Sequence, residues 1–196
     1  MKKTNFIKSA LFQAAFVSSV FLITSCSNNQ KPEDTKDIAE DHNNAKFDNN
    51  KNEKDAQFLV DAAEINREEI SLGQLAQKSG TTTHVKELGK MMEDAHTQSL
   101  ADLSALAKTK NISIPTSQTD DGQAAYKKLN EKSGNDFNKA YADMMVNGHK
   151  DAITLFETAS TSGTDPDIRA WATATLPALR THLDHSMICQ KECSKM

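Results

Sequence analysis

Four long stretches of the chain repeat apolar residues at spacings of three and four, which is helical periodicity, and strand-like alternation is nearly absent. The first, residues 55–79, sets Phe58, Ala62, Ile65, Glu69, Leu72 and Ala76 along one face and stops at Gly80. The second, residues 83–110, carries Val85, Gly89, Met92, His96, Ser99, Leu103 and Leu106 and is followed by Asn111 and a loop containing Pro115. The third, residues 135–160, follows Ser133-Gly134, ends before Gly163, and carries Ala142, Met145, His149, Ala152, Phe156 and Ala159. The fourth opens at Asp165, a good N-cap, with Pro166 at the first helical position, and runs to about residue 191 with a kink expected at Pro177. Its face reads Ile168, Ala172, Thr175, Leu179, His182, Ser186, Cys189, continuing to Cys193. A short amphipathic helix is expected over residues 120–132. The links after the first and third stretches are very short, so each of those helices pairs antiparallel with the next. The expected fold is all-α: an up-down-up-down four-helix bundle with a short extra helix in its middle connection.

Each apolar face holds one ionisable residue near its centre: Glu69, His96, His149 and His182. Measured from the short turns, taken to lie at one end, their depths are ~16, ~20, ~18 and ~25 Å at ~1.5 Å per residue. One carboxylate and three imidazoles are thus expected at similar height inside one bundle. An unpaired carboxylate there is costly. Two readings meet that cost. The four form a hydrogen-bond network that fixes helix register, or they bind one transition metal, with Zn, Cu and Fe the candidates. His185, Cys189 and Cys193 recur every four residues and read either as a soft-metal or redox patch or as an incidental tail. Met91, Met92, Met144, Met145 and Met187 read as core filler.

Composition changes the picture at the N-terminus. Lys2, Lys3 and Lys8 precede an apolar run over residues 10–23, of signal-peptide length and short for a membrane span. The run ends in Ile23-Thr24-Ser25-Cys26, which resembles a bacterial lipobox and implies cleavage before Cys26 and lipidation of that cysteine. Ser27 is not the aspartate that retains such proteins in the inner membrane, so the outer membrane is the expected address within the cell envelope. The layout read is a signal peptide over 1–25, a lipidated Cys26 with a disordered, Asn-rich tether to 54, a helical domain over 55–191 and a tail over 192–196. Loss of the signal removes three lysines and no acid, taking the net charge from −4 to −7. That balance speaks against nucleic acid as a partner. The membrane, through the anchor, is the partner implied, and no protein partner is named. With no phosphate-binding loop, dinucleotide fingerprint, nucleophile elbow or His-Glu-x-x-His, the chain reads first as a module binding a metal or small ligand; the alternatives are a structural or interaction protein whose polar core only specifies packing, and a divergent ferritin-like metal-dependent oxidoreductase.

The stretches "FLVDAAEINREEISLGQLA", "MMEDAHT", "FNKAYADMMVNGHKDAITLFE" and "LPALRTHL" resemble, in order and spacing, the successive blocks of a bacterial envelope family known as domain of unknown function 4142. The resemblance implies a ferritin-like helical bundle whose recurrent polar positions match Glu69, His96, His149 and His182. Ala95 departs from the aspartate usual before the histidine, so the resemblance leaves Glu93 or Asp94 as the candidates to steady the His96 ring in its place. The ferritin-like label does not bring di-iron chemistry. That needs a Glu from each of two helices and Glu-x-x-His from the other two, and this chain has Glu93-x-x-His96 once, with His182-x-x-His185 in place of another.

Overall fold

Residues 50–79 hold no proline and no glycine before Gly73, a composition that favours an uninterrupted helix. In the computed structural model, which describes residues 32–47 and 50–196, they form α2 (Asn50–Ser79). The other helices are α1 (Thr35–Lys46), α3 (Thr83–Lys110), α4 (Asp120–Asn130), α5 (Gly134–Ser162) and α6 (Pro166–Ser194), with no strand among the described residues. Local chemistry sets the boundaries. The Thr82 hydroxyl accepts the Val85 amide to cap α3, and Asn111 closes that helix in the left-handed region at φ 57°, where asparagine is tolerated. Asp165 caps α6 by accepting from the Asp167 and Ile168 amides, with Pro166 at the first helical position, as the sequence indicates. α6 runs unbroken through Pro177. That proline is exposed, so the hydrogen bond it cannot donate falls on the solvent side.

The helix directions correct the expected topology. Asn138, near the start of α5, accepts from the Thr81 amide at 3.1 Å and donates to the Thr81 hydroxyl at 2.6 Å, in the turn between α2 and α3. Asp55, near the start of α2, accepts the Thr164 and Asp165 amides in the turn between α5 and α6, at 3.0 and 2.7 Å. The two short turns therefore lie at opposite ends. α2 and α6 run one way and α3 and α5 the other, which is not up-down-up-down. Short turns fix direction only within a pair. The link over residues 111–133 is long enough to carry the chain, with α4 laid against α2 and α5, back along the helices before α5 begins.

α2 and α3 approach closely at two glycines. A Cβ on Gly73 would lie 2.6 Å from the Gly89 carbonyl oxygen, and one on Gly89 would lie 2.7 Å from that of Gly73. The apolar core is in two parts. One gathers Phe58, Leu59, Leu103, Phe156, Ile168 and Leu179. The other gathers Leu72, Met92, Phe137, Tyr141, Met145 and Cys189. Between these two clusters lie buried polar residues of all four long helices: Asn66 and Glu69 on α2, His96 on α3, His149 on α5, and His182 and Ser186 on α6.

The expectation of an unstructured tether to residue 54 is corrected over 35–46 and 50–54, which are helical. α1 belongs to the same compact unit, Glu33–Met196. It buries little apolar surface beyond Ala39, so an argument from apolar content misses it. Polar bonds hold it instead. Buried Asn43 donates to the Ser113 carbonyl and accepts from the Ser113 amide, both at 2.8 Å. Lys36 reaches Glu64 at 2.5 Å, Asp34 accepts from the amides of Lys36 and Asp120, and Lys46 donates to the Asn111 carbonyl. The helix α6 likewise extends through the expected tail to Ser194. The signal peptide and Cys26 lie outside the described residues. No helix among the described residues is long and apolar enough to cross a membrane.

Candidate metal centre

Histidine on an apolar helix face places a polar ring where no water can reach it, so each ring nitrogen needs a protein partner or remains unsatisfied. His96, His149 and His182 are 3%, 1% and 7% exposed. Their ring centroids are 5.6 Å apart for His96 and His149, and 5.3 Å for each of the other two pairs. One nitrogen from each ring lies within 4.8 Å of those of the other two.

The hydrogen bonds show which nitrogens are free. Nδ1 of His96 lies 2.9 Å from Oδ1 of Asn66. The Asn66 amide nitrogen is already donating to the Ala62 carbonyl at 2.7 Å, so its oxygen accepts and His96 donates. Nδ1 of His149 donates to the Met145 carbonyl at 2.8 Å. In the neutral ring, donation through Nδ1 leaves a lone pair on Nε2. Nε2 of His96, Nε2 of His149 and Nδ1 of His182 are all buried without a hydrogen-bond partner.

The rings are neutral at ordinary pH. Burial pushes His96 well below the usual imidazole value, and His149 and His182 add to that. Burial lowers His149 too, partly opposed by the Met145 carbonyl. His182 falls to about 4 through burial and the nearby His149 and His185. Three clustered neutral imidazoles, each with a buried ring nitrogen that has no partner, are a donor set for one transition-metal ion. They do not fit a dinuclear carboxylate centre, which needs four carboxylates.

Glu69 is beside this group and not part of it. Its Oε1 lies 3.8 Å from Nδ1 of His149, beyond hydrogen-bond range and on the ring nitrogen already bonded to Met145, while its Oε2 has no partner. Burial, with Glu68 adding to it, raises Glu69 to about 8, so it is mainly protonated at neutral pH. The other expected neighbours lie elsewhere. Glu93 accepts from Gln74 and Gln77 at 2.8 and 2.6 Å, tying α3 to α2, and exposed Asp94 pairs with Lys90. Neither carboxylate touches His96. His185 is exposed, off the buried stripe that holds His182, Ser186, Cys189 and Cys193.

Two further buried polar residues were not singled out from sequence. Asn66 stands between Ala62 and Glu69 at spacings of four and three, so the same periodicity that found Glu69 also contains it. Tyr141 is fully buried with an unpartnered hydroxyl. Burial, then Glu69 and Cys189 nearby, hold that hydroxyl well above the usual phenol value.

Comparison with known proteins finds no curated protein and no solved structure that matches the chain. A family model described as Domain of unknown function (DUF4142) matches residues 40–187. That span holds α2 to α5, most of α6 and every residue of the histidine cluster, and the chain therefore belongs to the DUF4142 family.

Proposed function

We propose that this protein binds one transition-metal ion through His96, His149 and His182, on a ferritin-like bundle held to the bacterial envelope by a lipid on Cys26. The observation that carries the metal reading is the set of three buried ring nitrogens without partners. A core network that served only packing would spend those nitrogens on hydrogen bonds, because an unmet buried polar group costs about 1–3 kcal/mol. Here the outward nitrogens of His96 and His149 are fixed by Asn66 and by the Met145 carbonyl, the arrangement that orients metal-bound imidazole. Bound there, a metal ion supplies a concentrated positive charge and Lewis acidity inside an apolar core. The single long crossover over residues 111–133 supports the ferritin-like reading, since such bundles have one. The lipobox-like run ending at Cys26 supports the anchor.

The test is titration of Zn(II) or Co(II) into protein purified without a His-tag, in a Cys189→Ser/Cys193→Ser background. One saturable equivalent is expected, with a rise in melting temperature, because a ligand held only by the folded state stabilises it. His96→Ala, His149→Ala and His182→Ala should each abolish or greatly weaken binding. Absence of saturable binding in the background protein overturns the proposal. For the anchor, Cys26→Ser should move the protein from membrane to soluble fractions. Unchanged fractionation with no acyl label on the parent protein overturns that part.

A further inference from the structure

We propose that Cys189 and Cys193 form a second metal site, distinct from the histidine centre, that takes a soft monovalent cation of the Cu(I) type. The two thiols are free, 3% and 1% exposed, and their sulfurs are 4.0 Å apart on one face of α6. At the roughly 2.3 Å metal–sulfur distance of thiolate sites, that spacing holds a cation at a sulfur–metal–sulfur angle of about 120°. This is the angle of a three-coordinate centre. The same buried core cluster also holds Met92 and Met145. Thiolate sulfur favours soft cations, Cu(I) among them.

The neighbourhood also says what the site is not. Among the described residues, the histidine trio is the one group of three His, Cys, Asp or Glu donors close enough to share an ion. The cysteines thus have no imidazole or carboxylate to complete the four-ligand shell that zinc prefers. Burial pushes the Cys189 thiol up to about 12 and raises Cys193 as well, so neither is a reactive thiolate at neutral pH. A cation with strong affinity for sulfur can still displace their protons to solvent, with copper entering and leaving as Cu(I). Cys193 is in the last turn of α6, which ends at Ser194, so opening of that turn admits the ion without disturbing the histidines.

The test uses full-length protein carrying Cys26→Ser, reduced with a phosphine and kept anaerobic. It competes for Cu(I) against bicinchoninate. One equivalent should leave the chelator, a thiolate-to-Cu(I) absorption should appear in the near ultraviolet, and copper-edge X-ray absorption should report sulfur neighbours. Cys189→Ser and Cys193→Ser should each weaken retention by more than the ~100-fold that losing an outer hydrogen-bond partner costs a metal site. His96→Ala/His149→Ala should leave it unchanged while losing Co(II), so this site and the histidine site fail separately. Retention of copper by the chelator, equal retention by the serine variants, or a copper spectrum with nitrogen neighbours alone overturns the proposal. Should a serine variant fail to fold, the X-ray spectrum of the parent decides.

Discussion

Asn66 accepts the Nδ1 proton of His96 across the α2–α3 contact, at 2.9 Å, with its own amide held by the Ala62 carbonyl. The bond fixes both the tautomer and the tilt of a ring whose other nitrogen is buried without a partner, beside the rings of His149 and His182. Replacing Asn66 with Leu should therefore weaken metal binding by roughly 10–100-fold while far-ultraviolet circular dichroism stays helical. Asn66→Asp keeps an acceptor in place and should bind far better than the Leu variant. Equal affinity in all three proteins would show that the contact does not orient the site.

The metal-free protein should be most stable near pH 6.5. The histidines have folded values below the unfolded 6.5, with His182 at about 4. The unfolded chain thus binds more protons below pH 6.5, and stability is lost as pH falls from there toward 4. Glu69 has the opposite sign. Its folded value, about 8, lies above the unfolded 4.5, so the folded state holds the extra proton and stability falls as pH rises toward 8. Each unbalanced proton changes stability by up to ~1.4 kcal/mol per pH unit. Urea midpoints measured from pH 4 to 8 should trace this peak. Glu69→Gln should flatten the fall above pH 6.5 and steepen the rise between pH 4.5 and 6.5, where Glu69 opposes the histidines.

Gly73→Ala and Gly89→Ala should each destabilise by on the order of 1–3 kcal/mol, because the new methyl meets a backbone carbonyl on the facing helix. The same change at an open helical position would stabilise by up to ~1 kcal/mol. The sign of the shift in melting temperature is thus the check. A stabilised variant would mean that α2 and α3 are less tightly apposed than described.

Asn43→Ala should release α1. It removes both bonds to Ser113 and should cost about 1–3 kcal/mol, localised to one element. Limited proteolysis should then cut between residues 35 and 46 in the variant well before the parent, and amides of α1 should exchange faster. Indistinguishable digestion would show that other contacts hold the helix.

The long helices were legible because the apolar residues of α2, α3, α5 and α6 follow one period and because Asp165-Pro166 and Gly163 mark their boundaries. The wrong topology did not spoil the convergence of His96, His149 and His182. Each sits close to the middle of its helix, so its depth is similar from either end. Connection direction was not legible, since Asn138 and Asp55 declare it only through tertiary bonds. α1 was hidden because it is held by Asn43, Lys36 and Asp34 rather than by apolar burial. Glu69 was correctly placed inside but lies outside the group of three histidines. Helical spacing reports which face a residue occupies and not where its carboxylate ends.

The bonds from Asp55 to the α5–α6 turn and from Asn138 to the α2–α3 turn have a consequence for how the fold comes apart. Each helix pair closes the other pair's turn, at opposite ends. Neither pair can peel away from one end while keeping its own turn amides satisfied, since both buried polar side chains, Asp55 and Asn138, would lose their partners in sequence. Partial opening is thus penalised from both directions. The two halves are expected to exchange their protected amides at a common, global rate, as one cooperative unit and not as two hairpins loosening in turn.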